Sequence, residues 1–114
     1  MVIIKNPAKT GIISENAELC KSIFSKSFGL MFSAKPKPLI FAFDKEKIVP
    51  LHMLFVFFPI DALFLDKNKT IVEIKENFRP FQFYNPKEKS AYVIELPQET
   101  VKKKNIAVGD KLSF

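Results

Sequence analysis

The strongest β pattern in the sequence is residues 51–76, which read LHMLFVFFPIDALFLDKNKTIVEIKE. Its first part, residues 51–65, is apolar at successive positions, as is typical of strands that are buried on both faces. A short polar connection follows, where Asn68 can adopt the left-handed backbone conformation that tight hairpins need. We therefore predict a β-hairpin whose strands cover residues 60–65 and 70–76.

The second strand of this hairpin alternates in polarity. Ile71 should share one face with Glu73 and Lys75, because successive side chains of a strand point to opposite sides. Val72 and Ile74 should then lie together on the other face. This pattern predicts a strand with one face exposed to water.

Shorter apolar runs bounded by proline, glycine or asparagine predict further strands. We expect them at residues 2–5, 39–43, 48–57, 91–96 and 111–114. The first run is halted by Asn6-Pro7, so it is expected to lie at an edge of the sheet. The last run follows a turn at Gly109-Asp110.

Two segments predict helices. Between Ser14 and Gly29, four residues fall on one face at helical spacing, namely Ala17, Cys20, Phe24 and Phe28. Ser14 is a good N-cap for this helix and Gly29 is a natural stop. A shorter helix is expected to begin at Pro97, with Glu99 in its first turn and Asn105 at its end.

The fold class is mainly β, because strands outnumber helices and the connections between them are short. We expect a compact antiparallel sandwich or a partly open barrel, with one or two short helices packed against it. A ferredoxin-like α+β fold is the alternative. Residues 1–114 are expected to form a single domain, since neither half of a 114-residue chain could build an adequate core alone.

Cysteine usage and hydropathy favour a cytoplasmic protein. Cys20 is the only cysteine, so no intramolecular disulfide can form, and the first residues lack the basic and apolar blocks of a secretory signal. The most apolar window, residues 51–65, is interrupted by polar residues and by a proline. It is also shorter than the about 20 apolar residues that a membrane-spanning helix needs, so no membrane contact is expected.

The net charge of +6 raises the question of nucleic-acid binding, because lysines gain affinity by releasing counterions from phosphates. However, 17 of the 18 basic residues are lysines, and Arg79 is the only arginine. Base recognition usually draws on the planar guanidinium of arginine. A solvated lysine-rich surface is therefore the favoured interpretation, and nucleic acid is not the expected partner, although the basic charge is compatible with it.

Three stretches of the sequence resemble one known family. Residues 26–32 (KSFGLMF), 52–66 (HMLFVFFPIDALFLD) and 91–97 (AYVIELP), followed by Gly109-Asp110, are similar in order and spacing to the signatures of domain of unknown function 192. The resemblance implies a small β-rich domain, and it implies no reaction, cofactor or catalytic residue. Lys26 stands where the family often has arginine, so no role of that arginine carries over.

Four polar residues among apolar neighbours are the candidate ligand-binding residues: His52, Asp61, Arg79 and Glu95. Asp61 interrupts an apolar run, where a carboxylate without partners would be costly to bury. It could be a ligand group or a general base, or it could accept backbone hydrogen bonds or pair with Arg79 or His52. Arg79 could hold an anion or pair with Glu95 or Asp61.

These residues lead us to favour a non-enzymatic binding or accessory module with a small polar-rimmed cleft. One alternative is a hydrolase- or isomerase-like enzyme in which His52 exchanges a proton with an acidic partner. The other is weak nucleic-acid binding by lysines. One histidine and one cysteine do not have the spacing of a metal site, so we expect no metal, and no cofactor is implied.

Overall fold

The computed structural model describes residues 2–9, 11–20, 38–52 and 58–114, with only the backbone of Cys20 and His52. The strands in these ranges are β1 (Val2–Asn6), β2 (Gly11–Cys20), β3 (Leu39–Lys47), β4 (Leu51–His52), β5 (Ile60–Leu65), β6 (Ile71–Phe78), β7 (Phe83–Tyr84) and β8 (Ser90–Pro97). One short helix, α1 (Thr100–Lys103), follows β8. In the described ranges, no helix has the length and apolar character needed to cross a membrane.

Six strands form one sheet in the order β1-β2-β3-β8-β5-β6, and this sheet curls into a half-barrel. The pairs are antiparallel, except that β2 and β3 run parallel. A separate two-stranded ladder joins β4 and β7. The expected mainly β, partly open barrel with a short helix is confirmed.

Two apolar cores lie on the two faces of the sheet. The helix-side core contains Ile4, Ile13, Ala17, Ile40, Leu63, Leu65, Ile71, Ile94, Leu96, Val101, Ile106 and Leu112. The ladder-side core contains Leu39, Phe41, Val49, Leu51, Ile60, Ala62, Phe64, Phe78 and Val93. Strand β5 contributes alternately to both cores and is buried along its whole length, as the sequence predicts.

The hairpin between β5 and β6 forms as expected, but the faces of β6 differ from the prediction. Leu65 pairs with Ile71 while Phe64 pairs with Glu73, so Val72 is an extra residue in a β-bulge. Beyond the bulge the alternation is reversed, and Ile74 packs against the same helix-side core as Ile71.

The tight turn of this hairpin uses a different residue from the one predicted. Lys69, with φ of 65°, takes the left-handed conformation in place of Asn68. The Asp66 carboxylate explains how a lysine is held there, because its Oδ1 accepts the backbone N–H groups of Asn68 at 2.9 Å and Thr70 at 3.0 Å. The side chain thus fixes the loop on both sides of Lys69.

The prediction of a helix from Ser14 is wrong for residues 14–20, which belong to strand β2. This strand pairs with β1 on one side and, through Glu18 and its neighbours, with β3 on the other. Of the four residues predicted to share a helical face, Ala17 lies in the helix-side core, together with Ile13, which precedes the predicted N-cap. Pairing with the neighbouring strands on both sides thus overrides the local pattern. The rest of the predicted helix, residues 21–29, lies outside the described residues.

Two further elements are shorter than predicted, namely the last helix and the strand expected at residues 48–57. Glu99 precedes helix α1 with a left-handed φ of 71°, whereas the sequence places it in the first helical turn. Asn105, with φ of 52°, ends the helical segment as predicted. Of the strand predicted at 48–57, Leu51–His52 is the part seen as a strand among the described residues.

The predicted final strand is replaced by a closing segment, residues 110–113, that bridges the two outer strands of the sheet. On the β6 side, Asp110 O accepts from Ile71 N at 2.9 Å, and Leu112 N donates to Lys69 O at 2.9 Å. On the β1 side, Ser113 exchanges two backbone hydrogen bonds with Lys5, at 2.8 and 2.9 Å. The half-barrel is therefore closed at this end.

Candidate functional site

The Asp61 carboxylate is the central polar group at one end of the sheet. Its side chain is 1% exposed. Oδ1 accepts the backbone N–H of Asn77 at 3.0 Å, and Oδ2 accepts that of Val101 at 2.9 Å. Each oxygen keeps a further lone pair, and no described lysine or arginine forms an ion pair with it. The carboxylate is therefore held firmly while still able to accept hydrogen bonds.

A bulge in β6 directs the first of these N–H groups at Asp61. Ile60 pairs with Phe78 and Ala62 pairs with Lys75, so two residues of β6 stand opposite Asp61. One of them, Asn77, has φ of 51°, a conformation that asparagine tolerates better than most residues. The local backbone therefore turns an amide towards the buried carboxylate.

A pocket of about 110 Å³ opens beside this carboxylate, where β5 begins and where β6 and β8 end. Its walls are polar and are formed by Asp61, Glu76, Asn77, Gln98, Glu99 and Lys102. Among the described residues, no three histidine, cysteine or carboxylate side chains are placed to hold a metal ion. The pocket thus offers carboxylates, carboxamides and one ammonium group to a small polar molecule.

Arg79 is connected to this pocket by the side chain of Asn77, which lines the pocket. When the Asn77 carboxamide oxygen faces the guanidinium, it accepts from Nε and Nη2 of Arg79, each at 3.3 Å. The same carboxamide lies 2.6 Å from the Gln98 side-chain amide. Arg79 also begins a tight turn, in which its backbone N–H donates to Gln82 Oε1 at 2.8 Å. Two of the four candidate residues, Asp61 and Arg79, therefore belong to one polar region.

Glu95 belongs to the other face of the sheet. It pairs with Ala62 of β5, which is part of the ladder-side core, whereas Asp61 pairs with Leu96 of the helix-side core. Successive side chains of a strand point to opposite faces. Asp61 and Glu95 therefore do not rim a common cleft, contrary to the hypothesis of one site formed by all four candidates.

His52 is described only as a backbone position, paired with Phe83 in the ladder of β4 and β7. Its side chain lies outside the described atoms. The proton-transfer hypothesis that depends on His52 therefore stays a hypothesis.

A second polar centre, which sequence reasoning missed, lies around Glu73 of β6. Its Oε1 accepts the backbone N–H groups of Lys87 and Glu88, both at 2.9 Å, and its Oε2 accepts from the Tyr84 hydroxyl. Burial of the hydroxyl, reinforced by the hydrogen bond to Glu73 and its negative charge, raises the pKa of Tyr84 to about 12. The partners are 11 to 15 positions apart, so no local pattern could reveal them.

A third polar centre holds the closing segment against β1. Asp110 Oδ2 accepts from Asn6 Nδ2 at 2.9 Å and from Ala107 N at 3.0 Å, and Oδ1 lies 3.2 Å from Lys9 Nζ. Burial alone would raise the pKa of Asp110, but the bonds from Ala107, Asn6 and Lys9 outweigh it and lower this pKa. This centre is structural, because the oxygens of the Asp110 carboxylate accept from or pair with groups of the fold itself.

Proteins with similar sequences come from Pyrococcus and Thermococcus species. A UPF0127 protein of Pyrococcus abyssi is 32% identical over 116 residues, which cover 100% of this chain and 98% of that protein. A UPF0127 protein of Pyrococcus furiosus is 35% identical over 94 residues, 80% of each chain.

Two crystal structures have the same fold. One, from Sinorhizobium meliloti and provisionally described as a transcription regulator, has a TM-score of 0.85 and 27% identity, covering 97% of this chain and 89% of that one. The other, a protein of unknown function from Novosphingobium aromaticivorans, has a TM-score of 0.85 at 19% identity, covering 98% and 82%. The family model of domain of unknown function 192, described as Uncharacterized ACR, matches residues 4–114. The chain belongs to this family.

Proposed function

We propose that this chain is a non-enzymatic binding module that takes a small polar ligand in the pocket beside Asp61. The observation that carries the proposal is a carboxylate with 1% exposure that borders an open pocket and retains free lone pairs. Each oxygen of a carboxylate can accept about two hydrogen bonds, and each Asp61 oxygen accepts one from the described residues. Here two backbone N–H groups fix the orientation of the group, so little ordering would remain to oppose binding.

The lining of the pocket defines the kind of ligand that it would accept. Asp61, Glu76 and Glu99 offer acceptors, while the Asn77 and Gln98 carboxamides can either donate or accept. A compact molecule rich in N–H donors, such as an amide or an amine, fits this chemistry. A volume of about 110 Å³ restricts the buried part of the ligand to a few non-hydrogen atoms.

Protein-observed NMR with a panel of small amides, amines and amino acids tests this proposal. We expect ligands to shift the backbone amide signals of Gln98, Glu99 and Lys102. The variant Gln98→Ala should weaken binding, whereas Lys103→Ala, one position beyond the pocket residue Lys102 in the same helix, should not. Ligands that shift signals elsewhere, or bind both variants as they bind the unmodified chain, would contradict the proposal.

Nucleic-acid binding is a second candidate function. It is supported by the Sinorhizobium meliloti protein, which is 27% identical and is provisionally described as a transcription regulator. The net charge of +6 would favour such a contact. Measuring the affinity for a labelled oligonucleotide against salt concentration tests this function, because phosphate contacts weaken steeply as salt rises.

A further inference from the structure

The outer face of the closing segment carries a row of hydrogen-bond donors. Lys111 pairs with Thr70 at the start of β6, and Ser113 pairs with Lys5 of β1. Between them, Leu112 is 3% exposed and packs in the helix-side core, so its two neighbours point outward. We call these four residues, Lys5, Thr70, Lys111 and Ser113, the lysine–hydroxyl strip.

No carboxylate of the closing segment neutralises this strip. Asp110 is turned inward, where it accepts from Asn6 and Ala107 and pairs with Lys9. Neither Lys5 nor Lys111 forms an ion pair with any described residue. On the far side of Lys5, its partner in β2 is the uncharged Ile12. At the β6 end of the strip, the Asp66 carboxylate accepts the backbone N–H of Thr70, but it forms no ion pair with either lysine of the strip. The ammonium groups of Lys5 and Lys111 are therefore available to a ligand.

We infer that the lysine–hydroxyl strip binds the phosphodiester backbone of nucleic acid. This inference rests on the second candidate function and assigns it a surface. Lysine ammonium groups and serine or threonine hydroxyls are typical donors to phosphate oxygens. The strip crosses three neighbouring backbone segments that lie about 4.8 Å apart, which suits an extended polyanion. Lysines act as point charges without the bidentate fork of arginine, so the contact reads phosphates and not bases.

Fluorescence anisotropy with labelled single- and double-stranded oligonucleotides tests the inference. The test variant is Lys5→Gln/Lys111→Gln, and Lys5→Arg/Lys111→Arg retains the charge. The matched control is Lys87→Gln/Lys89→Gln, which removes the same net charge from two exposed lysines in the loop before β8. If the strip neutralises two phosphates, its contribution to the affinity should fall roughly tenfold when salt is raised from about 50 to about 200 mM.

The test variant should therefore bind more weakly and lose about two units of the slope of log affinity against log salt, while the control and the arginine variant keep both. Equal loss in test and control variants would overturn the strip and leave nucleic-acid binding standing. Absence of salt-dependent binding by the unmodified chain would overturn both. The chain could instead sediment with phosphatidylserine vesicles, depend on the strip for this, and bind no oligonucleotide. That result would overturn nucleic acid as the ligand and identify an anionic membrane surface in its place.

Discussion

The Asp61 carboxylate joins strand β5 to the first turn of helix α1, because its Oδ2 accepts the backbone N–H of Val101, 40 positions along the chain. Its other oxygen holds Asn77 at the bulge of β6. One side chain therefore fixes the two backbone segments that form the walls of the candidate pocket. Replacing it tests how far the pocket depends on this arrangement.

The variant Asp61→Asn should be less stable by about 1 to 3 kcal/mol, because the asparagine can accept only one of the two N–H groups and turns a donor towards the other. Asp66→Asn is a matched control. Asp66 also accepts two backbone N–H groups, but both bond to the same oxygen, so asparagine can keep them. Urea denaturation of both variants measures the difference. If both variants lose the same stability, the contribution of Asp61 does not depend on accepting with both of its oxygens.

The Asp110 centre should make the fold sensitive to acid. The pKa of this carboxyl is lowered from 3.8 in the folded chain, so its contribution to stability is present above pH 3.8. That contribution is lost as pH falls through the folded pKa. The free energy of unfolding, measured between about pH 2 and pH 6, should fall less steeply at the acid end in Asp110→Asn.

Two further variants separate this centre from general acid denaturation. Lys9→Gln should reduce the same acid dependence, since Lys9 Nζ lies 3.2 Å from Asp110. Asp44→Asn changes an exposed carboxylate and should leave the dependence unaltered. If all three variants have parallel pH profiles, Asp110 is not the group that titrates.

The hydrogen bond between Tyr84 and Glu73 should make the fold sensitive to alkali. The pKa of Tyr84 is raised from 10.0 to about 12, so the bond stabilises the fold below pH 10 and is lost as pH rises towards 12. Tyr84→Phe should cost about 1.5 to 3 kcal/mol at neutral pH, because it removes a hydrogen bond to a charged group. It should also remove the loss of stability at alkaline pH. Tyr92→Phe is the control for tyrosine ionisation in general.

Replacing Phe81 with glycine should stabilise the fold. This residue has φ of 66°, follows Pro80 in the turn that begins at Arg79, and is 67% exposed, so its ring gains little from packing. Phe81→Gly should raise the free energy of unfolding by about 0.5 to 1 kcal/mol, the relief of a left-handed non-glycine residue less the entropy of glycine. Phe81→Ala keeps the Cβ atom and should show no such gain. Thermal unfolding distinguishes the two, and equal effects would show that the ring, not the backbone, matters.

The parts of the fold that sequence predicted are those with strong local patterns. The apolar run of β5 and the polar loop after it are sufficient to place the hairpin, since both lie within neighbouring residues. The pattern from Ser14 onward fits either a helix or a bulged strand. Its outcome is decided by pairing with Ile4 of the preceding strand and with Leu39 of the following strand, which the local pattern does not include. The bulge at Val72 also escapes prediction. Its one extra residue reverses the face of every following side chain, so the predicted faces of β6 are wrong beyond it.

The candidate site was partly predictable for the same reason. Asp61 is identified by its own neighbours, because a carboxylate inside an apolar run needs partners. Which partners it has depends on register, and the structure selects backbone amides from two other elements. Register also separates Glu95 from Asp61, since the residues opposite them are Ala62 and Leu96. A sequence can therefore indicate which polar residues matter before it can indicate which of them meet.

The closing segment, residues 110–113, forms a bridge between the two outer strands that should also affect self-association. An open strand edge is a template on which another chain can add a strand, and repeated addition leads to aggregates. Here the backbone groups of Lys5 and Ile71, at the two outer strands, are already bonded to the bridge. A chain that lost the bridge would expose both edges together, and we expect aggregation at these edges to accompany its detachment.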